Sequence, residues 1–207
     1  MKKIIVVFLG LSILTGSFVS CKKGENDPFL SLKSRKSRLV GNWMVSHEEI
    51  TEVITNIDST TTISTIFDGT TEMKSTVIVL DDTTKTYVDT MTYKLTLDIK
   101  KDGTYKFSNI NGNQLDVYIA EGTWMFIGKS KKDNLKKKEA VLLTTTKTVI
   151  SDGAVTNSVL HTDLNGKTLV LDQLKSKEMI VILEESNKNE NGLVSTKKTT
   201  KTTYTIN

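Results

Sequence analysis

The chain contains very little cysteine, proline or histidine. Its 207 residues include one cysteine, one proline and two histidines. A lone cysteine excludes an internal disulfide framework, so the folded part must be stabilised by packing. His47 and His161 show neither His-x-His nor His-Glu-x-x-His spacing, and no second cysteine is available as a zinc ligand. The sequence therefore predicts no metal site.

Catalytic and cofactor motifs are also missing. The chain has no Gly-x-Ser-x-Gly elbow and no glycine-rich loop of the phosphate-binding kind. Serine is plentiful, but no sequence pattern assigns a base to any of the serines. We therefore expect a protein that is not an enzyme and that carries no cofactor.

Long hydrophobic runs are absent except near the first residue. Lys2 and Lys3 precede the apolar residues 4–14, a run too short for the about 20 residues that cross a bilayer. A charged start, a short apolar core and small residues before a cut are the parts of a secretory signal peptide. We predict that residues 1–20 are such a signal.

The signal ends at the chain's only cysteine. Phe18-Val19-Ser20-Cys21 resembles the lipobox of bacterial lipoproteins, in which the cysteine becomes the acylated first residue of the mature chain. Acyl chains on Cys21 would contribute about 0.8 kcal/mol of membrane binding per buried methylene. The resemblance implies a protein of the cell envelope, anchored at the outer membrane on its periplasmic or surface face. Ordinary cleavage that leaves a free thiol is the alternative.

Positive and negative charges are nearly balanced once the predicted signal is removed. Without Lys2 and Lys3 the chain has 26 basic and 24 acidic residues, which weakens the case for nucleic acid. Residues 129–138 hold six lysines but no aromatic ring on which a base would stack. We expect a solvated loop there, with contact to acidic glycans or lipopolysaccharide phosphates as the alternative.

Residues 21–38 have the composition of a tether. They are polar, contain Pro28 and include the basic residues Lys33, Arg35, Lys36 and Arg38. A solvated spacer with a basic face is the main interpretation. Contact of this basic cluster with anionic lipid headgroups is the alternative.

From Leu39 to residue 207 the composition is that of a β protein. Threonine, valine and isoleucine are common and proline is absent. Along residues 93–100, apolar and polar side chains alternate as on a strand with one buried face. Asp102-Gly103 then predicts a hairpin turn, and Asp-Gly or Asn-Gly pairs at 68, 111, 152 and 165 predict others. We predict an antiparallel up-and-down β-barrel of about 8–10 strands, with a sandwich as second choice.

Residues 48–57 fit two kinds of secondary structure. Ile50, Val53, Ile54 and Ile57 fall at helical spacing, whereas most of the apolar residues are β-branched. A strand is slightly preferred, and a short helix is the alternative.

Two Gly-x-Trp triplets are expected to open strands, Gly41-Asn42-Trp43 and Gly122-Thr123-Trp124. A glycine two residues from a tryptophan lies on the same strand face, where it leaves room for close packing. A Gly-x-Trp on the first strand of an all-β domain resembles the lipocalin signature. With the lipobox cysteine, the tether, Asp-Gly-Thr-Tyr at 102 and Glu-Gly-Thr-Trp at 121, the chain resembles lipocalin-like lipoproteins of Bacteroidota.

The resemblance implies a barrel that either holds a small hydrophobic molecule or is filled by its own side chains. In the first case the function is ligand binding at the envelope. In the second it is a structural or interaction module that binds an envelope protein or glycan. We expect a monomer in both. The inward-facing candidates for lining a cavity are Trp43, Val45, Tyr93, Leu95, Leu97, Tyr105, Phe107, Trp124 and Phe126.

Overall fold

The computed structural model describes residues 33–80, 83–112, 116–127, 139–162, 166–189, 191 and 193–206. The predicted signal peptide, Cys21, most of the tether and the lysine-rich residues 129–138 lie outside the described residues. The elements are α1 (Arg35–Leu39), β1 (Gly41–Thr55), β2 (Ser59–Phe67), β3 (Thr71–Leu80), β4 (Thr83–Ile99), β5 (Thr104–Asn111), β6 (Asp116–Ile127), β7 (Glu139–Asp152), β8 (Thr156–Leu160), β9 (Gly166–Leu174), β10 (Glu178–Lys188) and β11 (Ser195–Thr205).

The strands close into a barrel in which neighbouring strands are antiparallel. Eight of them form a ring in the order β1, β4, β5, β6, β7, β9, β10, β11 and back to β1. The hairpin of β2 and β3 is inserted between β1 and β4, so the longer circuit that includes it has ten strands. Ring closure leaves few free strand edges, because each ring strand has a partner on both sides. The predicted antiparallel barrel of about 8–10 strands is confirmed.

Two strands change partner along their length. Residues 41–44 of β1 pair with residues 96–99 of β4, whereas residues 48–55 of β1 pair with β2. Residues 83–92 of β4 pair with β3. We call β2, β3 and these outer parts of β1 and β4 the extension. Because β1 continues as a strand to Thr55, the slight preference for a strand over a helix at residues 48–57 is confirmed.

Aspartate and glycine together build three of the hairpin turns, as predicted. At Asp102, carboxylate Oδ1 accepts hydrogen bonds from the hydroxyl of Thr104 at 2.7 Å and from its backbone N–H at 2.9 Å. These hydrogen bonds lower the pKa of Asp102. The following glycine has a positive φ, which suits a residue without a Cβ. The three glycines are Gly69 (φ 101°), Gly103 (φ 90°) and Gly153 (φ 83°).

The end of the predicted tether is part of the folded domain. Arg35 and Arg38 are only 9% and 2% exposed, so the expectation of a solvated basic cluster is wrong for both. They lie three residues apart on α1 and therefore share one face of the helix. The Arg35 guanidinium forms an ion pair with Glu139 at 2.9 Å, and Nη1 of Arg38 donates to the carbonyl of Leu174 at 2.7 Å. We call this end of the barrel, where β1 starts, the base.

The two tryptophans anchor the core near the base. Trp43 donates its indole N–H to the carbonyl of Leu39 at 2.7 Å, and Trp124 donates to the carbonyl of Lys100 at 2.9 Å. Both rings are thus buried with their one polar group satisfied. The surrounding core consists of aliphatic side chains from most of the ring strands, including Leu97, Ile99, Val141, Leu171 and Met179.

The expectation that Gly122 opens a strand is wrong, because Gly122 lies inside β6. The pairing of β6 with β7 shifts between Glu121 and Gly122, which is the signature of a β-bulge. A Cβ at position 122 would overlap the carbonyl oxygen of Thr144. Gly41, by contrast, is the first residue of β1, as predicted.

Candidate functional site

A cavity of about 240 Å³ lies inside the ring. Its walls come from six of the eight ring strands, which places it within the barrel rather than in a surface groove. The lining is mainly apolar and aromatic, with four hydroxyl groups and one amine. The lining residues are Leu97, Tyr105, Phe107, Tyr118, Ala120, Leu143, Thr145, Lys167, Leu169 and Tyr204.

Three of the nine residues predicted to line a cavity do so: Leu97, Tyr105 and Phe107. The other six are placed elsewhere. Trp43, Val45 and Leu95 belong to the packed core, and the Trp124 and Phe126 rings pack edge to face at 5.9 Å. Tyr93 stacks on Phe67, with ring centroids 4.7 Å apart.

Seven lining residues were missed by reasoning from the sequence. On β6, Tyr118, Ala120 and Gly122 lie two residues apart in the same series as Trp124, and side chains two apart share a strand face. The inward position of Tyr118 and Ala120 could therefore have been predicted from Trp124. On β9, Lys167 and Leu169 alternate in the same way. Tyr204 lies in a threonine-rich strand whose composition gave no indication of an inner face.

The hydroxyls of Tyr105 and Thr145 form one polar spot on the cavity wall. They lie 2.7 Å apart, a hydrogen-bond distance at which either oxygen can be the donor. Burial raises the pKa of Tyr105, and the hydrogen bond with Thr145 opposes the effect.

Tyr204 provides a second polar spot. The residue is only 7% exposed, and no hydrogen-bond partner for its hydroxyl is found among the described residues. Burial raises the pKa of Tyr204, and the nearby negative charge of Glu48 adds to the effect. Tyr204 is therefore a protonated hydroxyl with a free hydrogen beside the cavity.

Lys167 marks the mouth of the cavity, at the end of the barrel opposite α1. It is directly opposite Leu143 on β7, and paired residues of antiparallel strands project from the same face. Lys167 therefore projects inward, yet it is exposed because it is the second residue of β9. Near the ends of β6 and β7 that are farthest from the base, the lining residue Tyr118 is exposed and is paired with exposed Ile150; we call these two side chains the apolar lip.

A polar cluster lies on the inner face where the extension joins the ring. Thr202 donates a hydrogen bond to Glu48 at 2.6 Å, and the Tyr93 hydroxyl donates to Glu72. Burial and the hydrogen bond to Glu72 raise the pKa of Tyr93. Both carboxylates thus have hydroxyl partners beside the apolar stack of Phe67 and Tyr93.

The two histidines take part in local polar contacts. His47 lies 3.0 Å from the Glu49 carboxylate at the exposed surface, and that contact lowers the pKa of Glu49. His161 is 2.7 Å from the hydroxyl of Thr148. Within the described part of the chain, no three His, Cys, Asp or Glu side chains are grouped as metal ligands. No helix there has the length and hydropathy to cross a membrane.

The fold and the cavity define a closed antiparallel β-barrel with an internal, mainly apolar pocket. Comparisons with protein-family models and with curated proteins give no match. Among solved structures, the chain is similar to a porin-like protein from Bacteroides uniformis, with 10% sequence identity and a TM-score of 0.29. The match covers 79% of this chain and 96% of the other. The barrel assignment rests on the strand pairings of this chain itself.

Proposed function

We propose that this protein is a lipid-anchored envelope protein whose lipocalin-like barrel binds a small hydrophobic molecule without transforming it. The observation that supports ligand binding is the 240 Å³ cavity with its apolar walls. Binding pockets for small molecules are concave and mostly apolar, with a few polar groups that fix orientation. An apolar cavity of about 150 Å³ holds benzene, so by proportion this cavity suits a ligand of about ten non-hydrogen atoms.

The cavity favours ligand binding over the alternative of a filled barrel acting as an interaction module. A barrel filled by its own side chains would leave voids no larger than a water molecule, which occupies about 30 Å³ in the liquid. The volume found here is several times larger. Residues 129–138, whose predicted alternative role is contact with acidic glycans or lipopolysaccharide phosphates, lie outside the described residues.

The position of α1 is consistent with an anchor at the base of the barrel and a cavity mouth at the opposite end. Cys21 precedes α1 in the chain, and α1 packs at the base, where Arg38 contacts Leu174. Lys167 and the apolar lip lie at the opposite end. In this proposal the acylated Cys21 is joined to the base of the barrel through α1, and the mouth stays accessible to a hydrophobic molecule.

Titration with naphthalene, which has ten carbons and is fluorescent, tests the binding proposal. The full chain carrying Cys21→Ser should bind it saturably. Ala120→Leu adds three carbons to the cavity wall and should weaken binding by about tenfold or more, since overfilled apolar space is costly. Met125→Leu is the matched control, because Met125 lies on the same strand but is 59% exposed. Absence of saturable binding, or equal binding by the Ala120 variant, would contradict the proposal.

The anchor is tested separately by labelling cells with a palmitate analogue. The wild-type chain should take up the label and sediment with membranes, and Cys21→Ser should do neither. Labelling that persists in the Cys21 variant would show that acylation, if present, occurs elsewhere.

A further inference from the structure

The cavity wall carries more hydroxyl hydrogens than its own hydrogen bonds use. Each hydroxyl of Tyr105, Thr145 and Tyr204 has one hydrogen to donate and two lone pairs to accept. In the Tyr105–Thr145 pair one hydroxyl donates, so the hydrogen of the other is left over. The hydroxyl of Tyr204 has no partner among the described residues, so its hydrogen is left over too.

The Tyr204 hydroxyl has no partner in the described part of the protein but is not sealed off from solvent, so it can be reached through the cavity. A polar group in such a place needs a partner from water or from a ligand. Tyr204 is only 7% exposed, and it borders the cavity as well as the core side chains around it. A guest in the cavity is therefore the group that can accept its hydrogen bond. A ligand that displaces water from this hydroxyl must replace the hydrogen bond to avoid a loss in affinity.

The charge beside Tyr204 indicates that the accepting atom is neutral. The Glu48 carboxylate accepts a hydrogen bond from Thr202 at 2.6 Å, and Thr202 lies two residues from Tyr204 on the same buried strand face, so the negative charge lies near Tyr204. A carboxylate or phosphate placed there would be repelled. A ketone, ester or ether oxygen accepts a hydrogen bond without that repulsion. Lys167, the one charged lining residue, is exposed to solvent, whereas Tyr204 is buried.

We propose that the cavity selects compact, neutral, apolar molecules that carry a hydrogen-bond-accepting oxygen, and that the Tyr204 hydroxyl donates to this oxygen. The apolar body of the ligand lies against Leu97, Phe107 and Leu169. The Tyr105–Thr145 pair provides a second donor on the wall. This inference rests on the proposed function, to which it adds the chemical class of the ligand and its specificity-determining residue.

Two probes of nearly the same shape test the inference. Acetophenone carries a carbonyl oxygen where α-methylstyrene carries a methylene, and each has nine non-hydrogen atoms. Calorimetric titration of the full chain carrying Cys21→Ser should give a dissociation constant about fivefold lower for the ketone, the typical contribution of one neutral hydrogen bond. Tyr204→Phe should remove this preference and leave the affinity for α-methylstyrene unchanged. Tyr87→Phe, at a tyrosine that is 58% exposed on the extension, is the matched control and should keep the preference.

A measurement on the unsubstituted side chain covers the case in which the Tyr204 variant does not fold. The carbonyl stretching frequency of bound acetophenone should be lower than in a hydrocarbon solvent, because the oxygen accepts a hydrogen bond. An unshifted frequency would overturn the inference.

The remaining outcomes separate this inference from the proposed function. Equal affinities for the two probes would overturn the selectivity and leave ligand binding standing. A preference that survives Tyr204→Phe would overturn the role of Tyr204, and tighter binding of benzoate than of acetophenone would overturn the neutral character of the ligand. Absence of binding by either probe would overturn both proposals.

Discussion

The two glycines of the Gly-x-Trp triplets differ in what surrounds them. At Gly41 an added Cβ would come within 2.6 Å of Cδ1 of Ile206, the mobile end of a side chain. At Gly122 the added Cβ would overlap the backbone carbonyl of Thr144, which cannot rotate away. The glycine of the motif therefore faces a side chain in β1 and a backbone carbonyl in β6.

This difference predicts unequal costs of adding a methyl group. Gly122→Ala should lower the free energy of unfolding by about 3 kcal/mol, at the upper end of what overpacking costs, because β6 and β7 must separate. Gly41→Ala, the matched control, should cost about 1 kcal/mol, since Ile206 can change rotamer. Urea denaturation followed by tryptophan fluorescence measures both. Equal costs would contradict the close backbone contact at the bulge.

At the scale of elements, α1 is a part of the barrel and not of a tether. Its two buried arginines reach the ends of β7 and β9, and Leu39 at its last position is completely buried. Burial lowers the pKa of Arg35, and the neighbouring carboxylate of Glu139 opposes the effect. The ion pair is mostly shielded from water, with side-chain exposures of 8% and 16%.

Removing only one partner of this ion pair should lower the free energy of unfolding more than replacing both partners. Glu139→Gln leaves the Arg35 charge buried without its counterion and should lower the free energy of unfolding by about 3 kcal/mol. Arg35→Met combined with Glu139→Leu should recover most of that loss, because no buried charge remains. Thermal denaturation of the two variants beside the parent chain provides the comparison. A double variant as unstable as Glu139→Gln would contradict the account.

Strand β4 joins a protected half to an exposed half. From Leu95 to Ile99 its inward side chains are buried, and in this part it pairs with β5, and near its end with β1 as well. Residues 83–92 pair with β3 and are exposed at every position. Local opening costs least where few apolar contacts are lost.

Amide hydrogen exchange should therefore divide β4 into two parts. The amides of Leu95, Leu97 and Ile99 should exchange through global unfolding, whereas those of residues 84–91 should exchange through local opening at least about a hundredfold faster. Two-dimensional NMR resolves the individual amides. Uniform protection along the strand would show that the extension opens only with the ring.

The same strand shows how far the sequence predicts the elements. The alternation of apolar and polar residues at 93–100 indicates one buried face, so the burial of this half of β4 could be predicted from the sequence. Residues 83–92 have no such alternation, because both of their faces meet water. The burial of Arg35 and Arg38 was not predictable either, since it depends on contacts with Glu139 and Leu174, more than a hundred residues away in the sequence.

At the scale of the whole molecule, the barrel has a packed end and an open end. The base holds α1 and both tryptophans, and the cavity lies among the core side chains, since five of its lining residues belong to the core cluster: Leu97, Tyr105, Leu143, Leu169 and Tyr204. Six of the nine predicted lining residues belong to the core or pack against it without bordering the cavity, because alternation along a strand identifies its inner face but not which inner side chains border the cavity. The barrel itself followed from strand and turn patterns, whereas the location of the cavity depends on which strands close the ring.

The most direct test of the account is the occupancy of the cavity by xenon, an apolar gas atom that binds in apolar cavities. Crystals of the protein pressurised with xenon should show an anomalous scattering peak inside the ring, between Leu97, Phe107 and Leu169. A peak at that position is the predicted result. A barrel interior without bound xenon, with side chains filling the space between these three residues, would contradict the claim that the protein encloses a binding cavity.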